Sequence, residues 1–227
     1  MKVEKDFVKR KFDRIVRRYD LVNLIGSLGQ DRLWRKKVAS LLADAPHPWL
    51  DLCCGPFTLT LDLYHENRLA PVFALDFSFE MLFFGKNRIK DTLIYPICGD
   101  AEDLPFKNSS FGGISIAFGL RNLPNKEKAL KEFFRVLKPG GRLVILEFSW
   151  PKNFFIQKFY NFYLSYYMPF LGGALTGDKE AYKYLASSIK SFPSPQKVKT
   201  LLLKAGFSEV NFIPLTFGIV TLYQAIK

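Results

Sequence analysis

The stretch Pro48-Trp49-Leu50-Asp51-Leu52-Cys53-Cys54-Gly55-Pro56 decides the fold. It is a short apolar run of strand length that ends in a Gly-Pro turn. In residues 57–69, which follow, the apolar side chains are spaced by threes and fours, as on one face of a helix. The stretch therefore predicts a strand, a tight turn and a helix in immediate succession.

The same strand-and-helix unit recurs along the chain. Further apolar runs of strand length occupy residues 72–76, 93–98, 113–118 and 142–148, with helical patterns at 78–89 and 126–137. Strands that alternate with helices predict a parallel sheet covered by helices on both faces. After a helical pattern at 196–205, two strands at 209–214 and 220–226 follow too closely for a crossover helix, so they should form an antiparallel hairpin at one edge.

Two segments lie outside this alternation. The length of 227 residues suits a single α/β domain. Within it, the pattern of residues 1–43 predicts two helices that form an N-terminal cover. Residues 150–191 predict an insertion over the ligand crevice, because insertions at the carboxyl edge of such sheets cover it. On a helix over 153–168, Gln157, Asn161 and Ser165 make one narrow polar strip and the other faces are aromatic or apolar. Three alternatives remain for this segment: a second core layer, the lining of an apolar tunnel, or contact with lipid.

Parallel sheets bind ligands at the carboxyl ends of their strands, so the residues that end the strands are the candidate site. They include Asp51 before Gly55, Asp76 at the end of the second strand, Asp100-Ala101 after the third, and Ala117 near the end of the fourth. The fourth strand runs directly into Phe118-Gly119-Leu120-Arg121-Asn122. These strings place carboxylates, small residues and one arginine around a single edge of the sheet.

The string Phe118-Gly119-Leu120-Arg121-Asn122 resembles a signature of the menaquinone and ubiquinone C-methyltransferase family, whose members are class I S-adenosylmethionine-dependent methyltransferases. Other matching strings are Phe12-Asp13, Tyr19-Asp20, Arg32-Leu33-Trp34-Arg35, Arg135-Val136-Leu137-Lys138-Pro139-Gly140-Gly141 and Tyr182-Lys183-Tyr184-Leu185-Ala186-Ser187-Ser188-Ile189. The resemblance covers the chain from about residue 12 to its end. It implies a Rossmann-like class I methyltransferase fold with a mostly parallel seven-stranded sheet and a C-terminal antiparallel hairpin.

The resemblance also implies S-adenosyl-L-methionine as cofactor. Asp76 would accept hydrogen bonds from the ribose hydroxyls, and Asp100 with the backbone N–H of Ala101 would meet the adenine. The full set of expected cofactor-binding residues is Asp51, Gly55, Asp76, Phe77, Asp100, Ala101 and Ala117. The chain departs from the family at Phe57, where a second glycine is usual, and at Ala117, where a serine is common. Phe57 implies either a different loop path or an aromatic wall of the pocket.

The resemblance implies C-methylation of demethylmenaquinol to menaquinol. We expect Arg121 and Asn122 to hold the quinol oxygen or an activating water, with Arg121 stabilising phenolate charge and Tyr19 completing the network. The structural alternatives are a salt bridge for Arg121 and a packed aromatic for Tyr19. No metal site is expected, because the three cysteines and two histidines lack ligand spacing.

The net charge of +12 leaves other readings open. The acceptor could be a ubiquinol precursor or RNA. Amine-directed nucleic-acid methyltransferases and cytosine C5 methyltransferases, however, carry different motifs after the fourth strand, so no nucleic-acid partner is expected. A non-catalytic cofactor-binding subunit of a quinone-synthesis complex is a third reading. No signal peptide and no apolar run long enough to span a bilayer is apparent, which favours a cytoplasmic protein, either free or peripherally attached to a membrane. The oligomeric state stays open, with a homodimer as one alternative.

Overall fold

The computed structural model describes residues 5–227 and contains one seven-stranded sheet. Its strands are β1 (Trp49–Leu52), β2 (Val72–Asp76), β3 (Ile94–Cys98), β4 (Phe111–Ala117), β5 (Leu137–Phe148), β6 (Ser208–Leu215) and β7 (Val220–Ile226). Their order across the sheet is β3-β2-β1-β4-β5-β7-β6. Strands β1 to β5 pair in parallel, whereas β7 is antiparallel to both β5 and β6. The predicted fold class, including the C-terminal hairpin at the sheet edge, is confirmed.

Helices cover both faces of the sheet and its carboxyl edge. They are α1 (Lys5–Ile15), α2 (Tyr19–Gly26), α3 (Gln30–Leu42), α4 (Thr58–Glu66), α5 (Phe79–Gly85), α6 (Lys126–Val136), α7 (Phe154–Phe162), α8 (Met168–Thr176), α9 (Lys179–Ser191) and α10 (Pro195–Lys204). A π-helical turn, Tyr163–Tyr167, joins α7 to α8 without a break. Side-chain caps fix several starts: Ser78 accepts from the Met81 N–H at α5, and Asn125 accepts from the Lys128 N–H at α6. Among the described residues, none of these helices has the length and apolar character to cross a bilayer.

The N-terminal cover differs from the prediction of two helices, because the described part of it contains three. A 3₁₀ turn, Val16–Arg18, separates α1 from α2. Gly29, at φ 77°, then separates α2 from α3 in a left-handed conformation that glycine adopts at little cost. Apolar periodicity continued through both breaks, which is why the sequence pattern merged two helices into one.

Strand β5 begins at Leu137, five residues before the predicted start at Arg142. Leu137 pairs with Phe111, and the pairing resumes only at Gly113 and Arg142, so residues between them bulge out of the ladder. Gly140, at φ 72°, allows this bulge. The Lys-Pro-Gly-Gly string therefore interrupts a strand that has already begun.

Two apolar layers enclose the sheet, and a third cluster lies at its carboxyl edge. In this third cluster Ile15 and Val22 from the N-terminal cover meet Tyr160, Leu164 and Met168 from the insertion. The cover and the insertion therefore pack on each other as well as on the sheet. Between this cluster and the strand ends lie the two cavities that form the candidate site.

Candidate active site

A narrow crevice of about 100 Å³ follows the carboxyl ends of β1, β2, β3 and β4. Six of the seven residues expected to bind the cofactor line it: Gly55, Asp76, Phe77, Asp100, Ala101 and Ala117. Helix α1 closes the crevice from above through Lys5, Val8 and Phe12. The crevice thus combines carboxylates, one open glycine backbone and apolar side chains. This combination suits a nucleoside that carries an amino-acid tail.

Asp76 and Gly55 form the polar end of this crevice. The Gly55 N–H donates to Asp76 Oδ2 at 2.8 Å, and the Ser78 N–H donates to Oδ1 at 2.8 Å. Burial raises the pKa of Asp76, and these backbone hydrogen bonds oppose the rise. Gly55 has φ 55°, and a Cβ built on it would meet no atom within 4 Å, so its backbone is open to a ligand.

Phe57 does not form the aromatic wall of the pocket that was one of the two alternatives from the sequence. Its φ of 65° preserves the left-handed conformation that the missing glycine would favour. Its ring is fully buried in the core and does not line the crevice. A Cβ on Gly85 would lie 2.6 Å from this ring, so the glycine of α5 makes the space that Phe57 fills.

Asp51 lies behind the crevice and not in its lining. It is 1% exposed, and its two carboxylate oxygens accept from Thr60 Oγ1 at 2.6 Å and Ser115 Oγ at 2.7 Å. Burial raises the pKa of Asp51 to about 7, although these two hydroxyls oppose the rise. Asp51 thus ties β1 to α4 and β4 directly beneath the Gly55 turn.

Asp100 is held by an ion pair that closes the crevice. Lys5 Nζ lies 2.5 Å from Asp100 Oδ2 and 2.8 Å from Glu102 Oε2. Burial lowers the pKa of Lys5, but its hydrogen bonds to the two carboxylates outweigh this, and the net pKa is raised. The N-terminal cover therefore occupies the carboxylate that is expected to meet the adenine.

A second cavity, of about 630 Å³, lies on the other side of Phe118. Its walls are chiefly aromatic and aliphatic side chains of α2, α7, the π-helical turn and α9. Phe12, Tyr19 and Phe118 line both cavities and form the wall between them. Phe118 has φ 57°, which turns the chain sharply at the end of β4. The two cavities therefore meet at the signature string.

Arg121 lines the large cavity and is anchored by Glu147, which is fully buried at the end of β5. Arg121 Nη1 donates to Glu147 Oε1 at 2.8 Å, and the Arg121 N–H donates to Oε2 at 3.0 Å. The same Nη1 also donates to the Phe118 carbonyl. Arg121 thus forms the salt bridge that the sequence gave as its structural alternative, and it also borders the cavity, where the expected catalytic role would require it.

Asn122 and Tyr19 complete the junction. Asn122 lines the crevice, and its Oδ1 accepts from the Tyr184 hydroxyl, which belongs to the large cavity, at 3.1 Å. Tyr19 is half-buried; desolvation raises the pKa of its hydroxyl, and the nearby Arg121 charge opposes the rise. The structure therefore brings Tyr19, Arg121 and Asn122 together, whereas His47 and His65 line neither cavity.

Three residues of this site were not identified from the sequence. Glu147 ends a strand with an acid, the same signal that identified Asp76, and could have been found. Tyr184 stands in a quoted family string, but nothing local indicated a contact with a residue 62 positions away. Lys5 lies 95 positions from Asp100, and no pattern in the sequence indicated that pair.

The sequence of the chain matches those of known proteins. The sequence profile of the ubiE/COQ5 methyltransferase family matches residues 1–227. A demethylmenaquinone methyltransferase of Thermotoga maritima is 40% identical over 221 residues, covering 96% of this chain and 95% of the relative. The ubiquinone/menaquinone biosynthesis C-methyltransferase UbiE of Pseudomonas fluorescens is 39% identical over 226 residues, covering 97% and 88%.

Solved structures agree on the fold. One is a SAM-dependent methyltransferase from Thermotoga maritima described as a possible histamine N-methyltransferase, with TM-score 0.65, 18% identity and coverage of 96% of this chain and 99% of that one. Another is a putative methyltransferase in complex with the Haloferax volcanii Trm112 activator, with TM-score 0.66, 17% identity and coverage of 95% and 96%. At these identities the likeness concerns the fold alone.

Proposed function

The chain belongs to the ubiE/COQ5 methyltransferase family, and on that premise we propose that it methylates a ring carbon of a reduced isoprenoid quinone. It is an S-adenosylmethionine-dependent methyltransferase of quinone biosynthesis. The proposed acceptor is demethylmenaquinol, the reaction named for the Thermotoga maritima relative. A ubiquinol precursor is the second candidate, since the Pseudomonas fluorescens relative is named for both quinones.

The observation that carries the proposal is the meeting of two unlike cavities at one wall. A crevice lined with carboxylates and a large apolar cavity share Phe12, Tyr19 and Phe118. A polar ring at this wall would face the crevice, while a hydrocarbon tail would fill the apolar cavity. This arrangement suits an acceptor with a small reactive ring and a long hydrocarbon tail far better than it suits RNA.

The residues of the crevice have distinct proposed roles toward the cofactor. Asp76 would hold the ribose hydroxyls, and Gly55 would let the backbone approach the methionine portion. Asp100 and the Ala101 N–H would meet the adenine, with Phe77 packing beside it. Ala117 offers only its backbone, and Asp51 supports the Gly55 turn from beneath.

The chemistry then needs orientation and a more nucleophilic ring carbon. S-adenosylmethionine supplies a methyl group on a sulfonium, which is electrophilic without further activation. We assign Arg121 to stabilise negative charge on the quinol oxygen as its proton leaves, which raises electron density at the ring carbon. Asn122 and Tyr19 orient that oxygen. The ring carbon would take the methyl group as the sulfonium–methyl bond breaks, with S-adenosylhomocysteine as the leaving group. The same carbon then loses its own proton to solvent and the quinol oxygen regains one, which restores the aromatic quinol.

An acceptor panel tests the proposal. The purified protein would be incubated with methyl-labelled S-adenosylmethionine and reduced demethylmenaquinone, a reduced ubiquinone precursor, the oxidised form of each, and RNA. We expect label on the reduced naphthoquinol. Label on the benzoquinol as well would identify an enzyme that serves two pathways. Absence of label from both quinols, with cofactor binding retained, would contradict the proposal and favour the non-catalytic reading.

We also propose that the enzyme works in the cytoplasm and takes its acceptor from lipid. An isoprenoid tail keeps such a quinol in the bilayer, and the greater part of the large cavity is apolar.

A further inference from the structure

A stripe of exposed aromatic side chains runs along the insertion. The continuous helix of α7, the π-helical turn and α8 carries it, and its members are Phe155, Phe159, Phe162, Tyr166 and Phe170. Each is between 60% and 79% exposed. Their spacing of three and four residues puts them on one face over roughly 22 Å, at the rise of an α-helix. We call this set the aromatic stripe.

The opposite face of the same helix is the one that packs on the protein. Tyr160, Leu164 and Met168 are buried there, in the cluster shared with the N-terminal cover. The helix therefore has an apolar face against the core and a second apolar face toward the outside. Large exposed apolar patches mark surfaces that bind a protein or a membrane.

The aromatic stripe is continuous with the mouth of the large cavity. Phe159 and Phe162 belong to both, and they are joined at the mouth by Leu28, which is 84% exposed, and Phe217, which is 82% exposed. These residues come from three separate segments: the α2–α3 connection, α7 and the β6–β7 connection. Three segments thus present apolar tips around one opening.

The two segments that contribute the stripe and Phe217 carry charges of one sign. Residues 149–177 contain no Asp or Glu and two lysines, Lys152 and Lys158. Residues 215–227, which include Phe217, also lack acids. Lys190 of α9 reaches the helix, with Nζ 3.3 Å from Ser165 Oγ. Segments that combine exposed aromatic side chains with lysines and contain no acid complement anionic lipid headgroups over an apolar interior.

We propose that the aromatic stripe docks on an anionic bilayer and opens the mouth of the acceptor cavity directly into lipid. The inference rests on the proposed function, because a lipid-dissolved acceptor gives the apolar opening its use. A second copy of this chain is the less suitable occupant: two such faces would bring lysines against lysines, and the contact would cover the cavity mouth.

The test compares two double variants of the full chain. Phe155→Ser with Phe170→Ser removes two stripe residues that do not line the cavity. Phe79→Ser with Phe83→Ser is the matched control, because these two phenylalanines of α5 are also more than half exposed and lie outside the stripe and both cavities. Co-sedimentation is measured with phosphatidylcholine vesicles, with and without phosphatidylglycerol. Turnover is measured on a short-tailed soluble demethylmenaquinol and on a long-tailed one held in the vesicles.

We expect the wild type and the control to bind the anionic vesicles more tightly than the neutral ones. The stripe variant should lose vesicle affinity by roughly tenfold or more, as two aromatic side chains leave the interface. Its turnover should fall with the vesicle-held quinol and stay at the wild-type level with the soluble one.

Vesicle binding by the stripe variant equal to that of the control would overturn the inference. A different result would also overturn it: the wild type is dimeric in solution and does not bind vesicles, whereas the stripe variant is monomeric. The stripe would then be an interface between two copies of the chain. Failure of the proposed function is separately visible: the wild type would bind vesicles through the stripe yet methylate neither quinol.

Discussion

Arg121 has a proposed role toward the acceptor and a structural role in a buried ion pair. Its guanidinium must stay charged beside the acceptor, and it is held there by Glu147, which has no contact with solvent. A buried ion pair contributes little net stability, but removing one partner is costly because the other charge is left without compensation. The pair therefore fixes the direction of Arg121 at the junction of the cavities.

Arg121→Lys separates the chemical role from the structural one. The charge opposite Glu147 is retained, but the planar fork of donors is lost. We expect kcat to fall by about 10²-fold with the affinity for S-adenosylmethionine unchanged, as measured by steady-state kinetics and calorimetric titration. Arg121→Ala should instead lower the free energy of unfolding by about 3–5 kcal/mol. Equal loss of cofactor affinity and turnover in the lysine variant would assign Arg121 to the fold alone.

Phe57 and Gly85 should be energetically coupled. Phe57→Gly loses a fully buried ring and should cost about 3–4 kcal/mol of the free energy of unfolding. Gly85→Ala is costly alone, because its Cβ would lie 2.6 Å from that ring, but should cost far less in the Phe57→Gly background. Urea unfolding of the two single variants and the double variant measures the coupling. Additive costs, or a large change in cofactor affinity in Phe57→Gly, would show that the ring acts on the crevice.

Asp51 predicts a dependence of stability on pH. Burial raises its pKa to about 7 in the folded protein, whereas an unfolded Asp titrates near about 4. The protonated carboxyl therefore stabilises the fold fully below pH ~4, and this contribution is lost as the pH rises through 7. Asp51→Asn cannot ionise, so from pH 4 to pH 8 its free energy of unfolding should rise by about 4 kcal/mol relative to that of the wild type.

Urea unfolding at several pH values checks the Asp51 prediction. Asp44→Asn, at an exposed position, is the control and should show no such trend. A difference between Asp51→Asn and the wild type that does not change with pH would mean that Asp51 is ionised in the folded protein throughout this range.

At the scale of elements, α1 is the helix that the proposed cofactor-binding mode would displace from the crevice. Its Lys5 occupies Asp100 and Glu102, and its Val8 and Phe12 narrow the crevice to about 100 Å³. A nucleoside that uses Asp100 must displace that ion pair. If the cofactor binds Asp100 as proposed, α1 in this position would compete with it.

Lys5→Ala should strengthen cofactor binding, because Asp100 no longer has to leave an ion pair. For a partly exposed pair the expected gain in affinity for S-adenosylmethionine is roughly fivefold at low salt, and smaller at high salt. Arg10→Ala on the same helix removes an exposed cation that lines neither cavity and should leave the affinity unchanged. An unchanged or weaker affinity in Lys5→Ala would show that Lys5 assists binding and does not compete with it.

Some helices, strands and breaks could be predicted from the sequence, and others could not. Strand and helix periodicity is local, so the seven strands and the order of units could be predicted from it. The break at Gly29 and the π-helical turn in the insertion could not, because apolar spacing continues through both. Phe57 shows the same limit: its backbone angle follows from the turn, but the direction of its ring depends on a glycine 28 positions later.

At the scale of the whole molecule, the site exists because three distant segments meet at one sheet edge. Asp76, Asp100 and Ala117 could be placed from the sequence, since parallel strands end on the same side. Glu147 opposite Arg121 and Tyr184 on Asn122 are tertiary contacts that required the packing of the cover and the insertion. The proposed function therefore depends on the junction at Tyr19, Phe118 and Arg121, where the crevice and the large cavity meet.

The most direct test follows a ¹³C label from the methyl group of S-adenosylmethionine into demethylmenaquinol held in anionic vesicles, with the product examined by NMR. We expect one labelled methyl group on the ring carbon, formed from the reduced quinone only and formed about 10²-fold more slowly by Arg121→Lys. Label on a quinol oxygen, equal labelling of the oxidised quinone, or no transfer by a wild type that binds the cofactor would contradict this expectation.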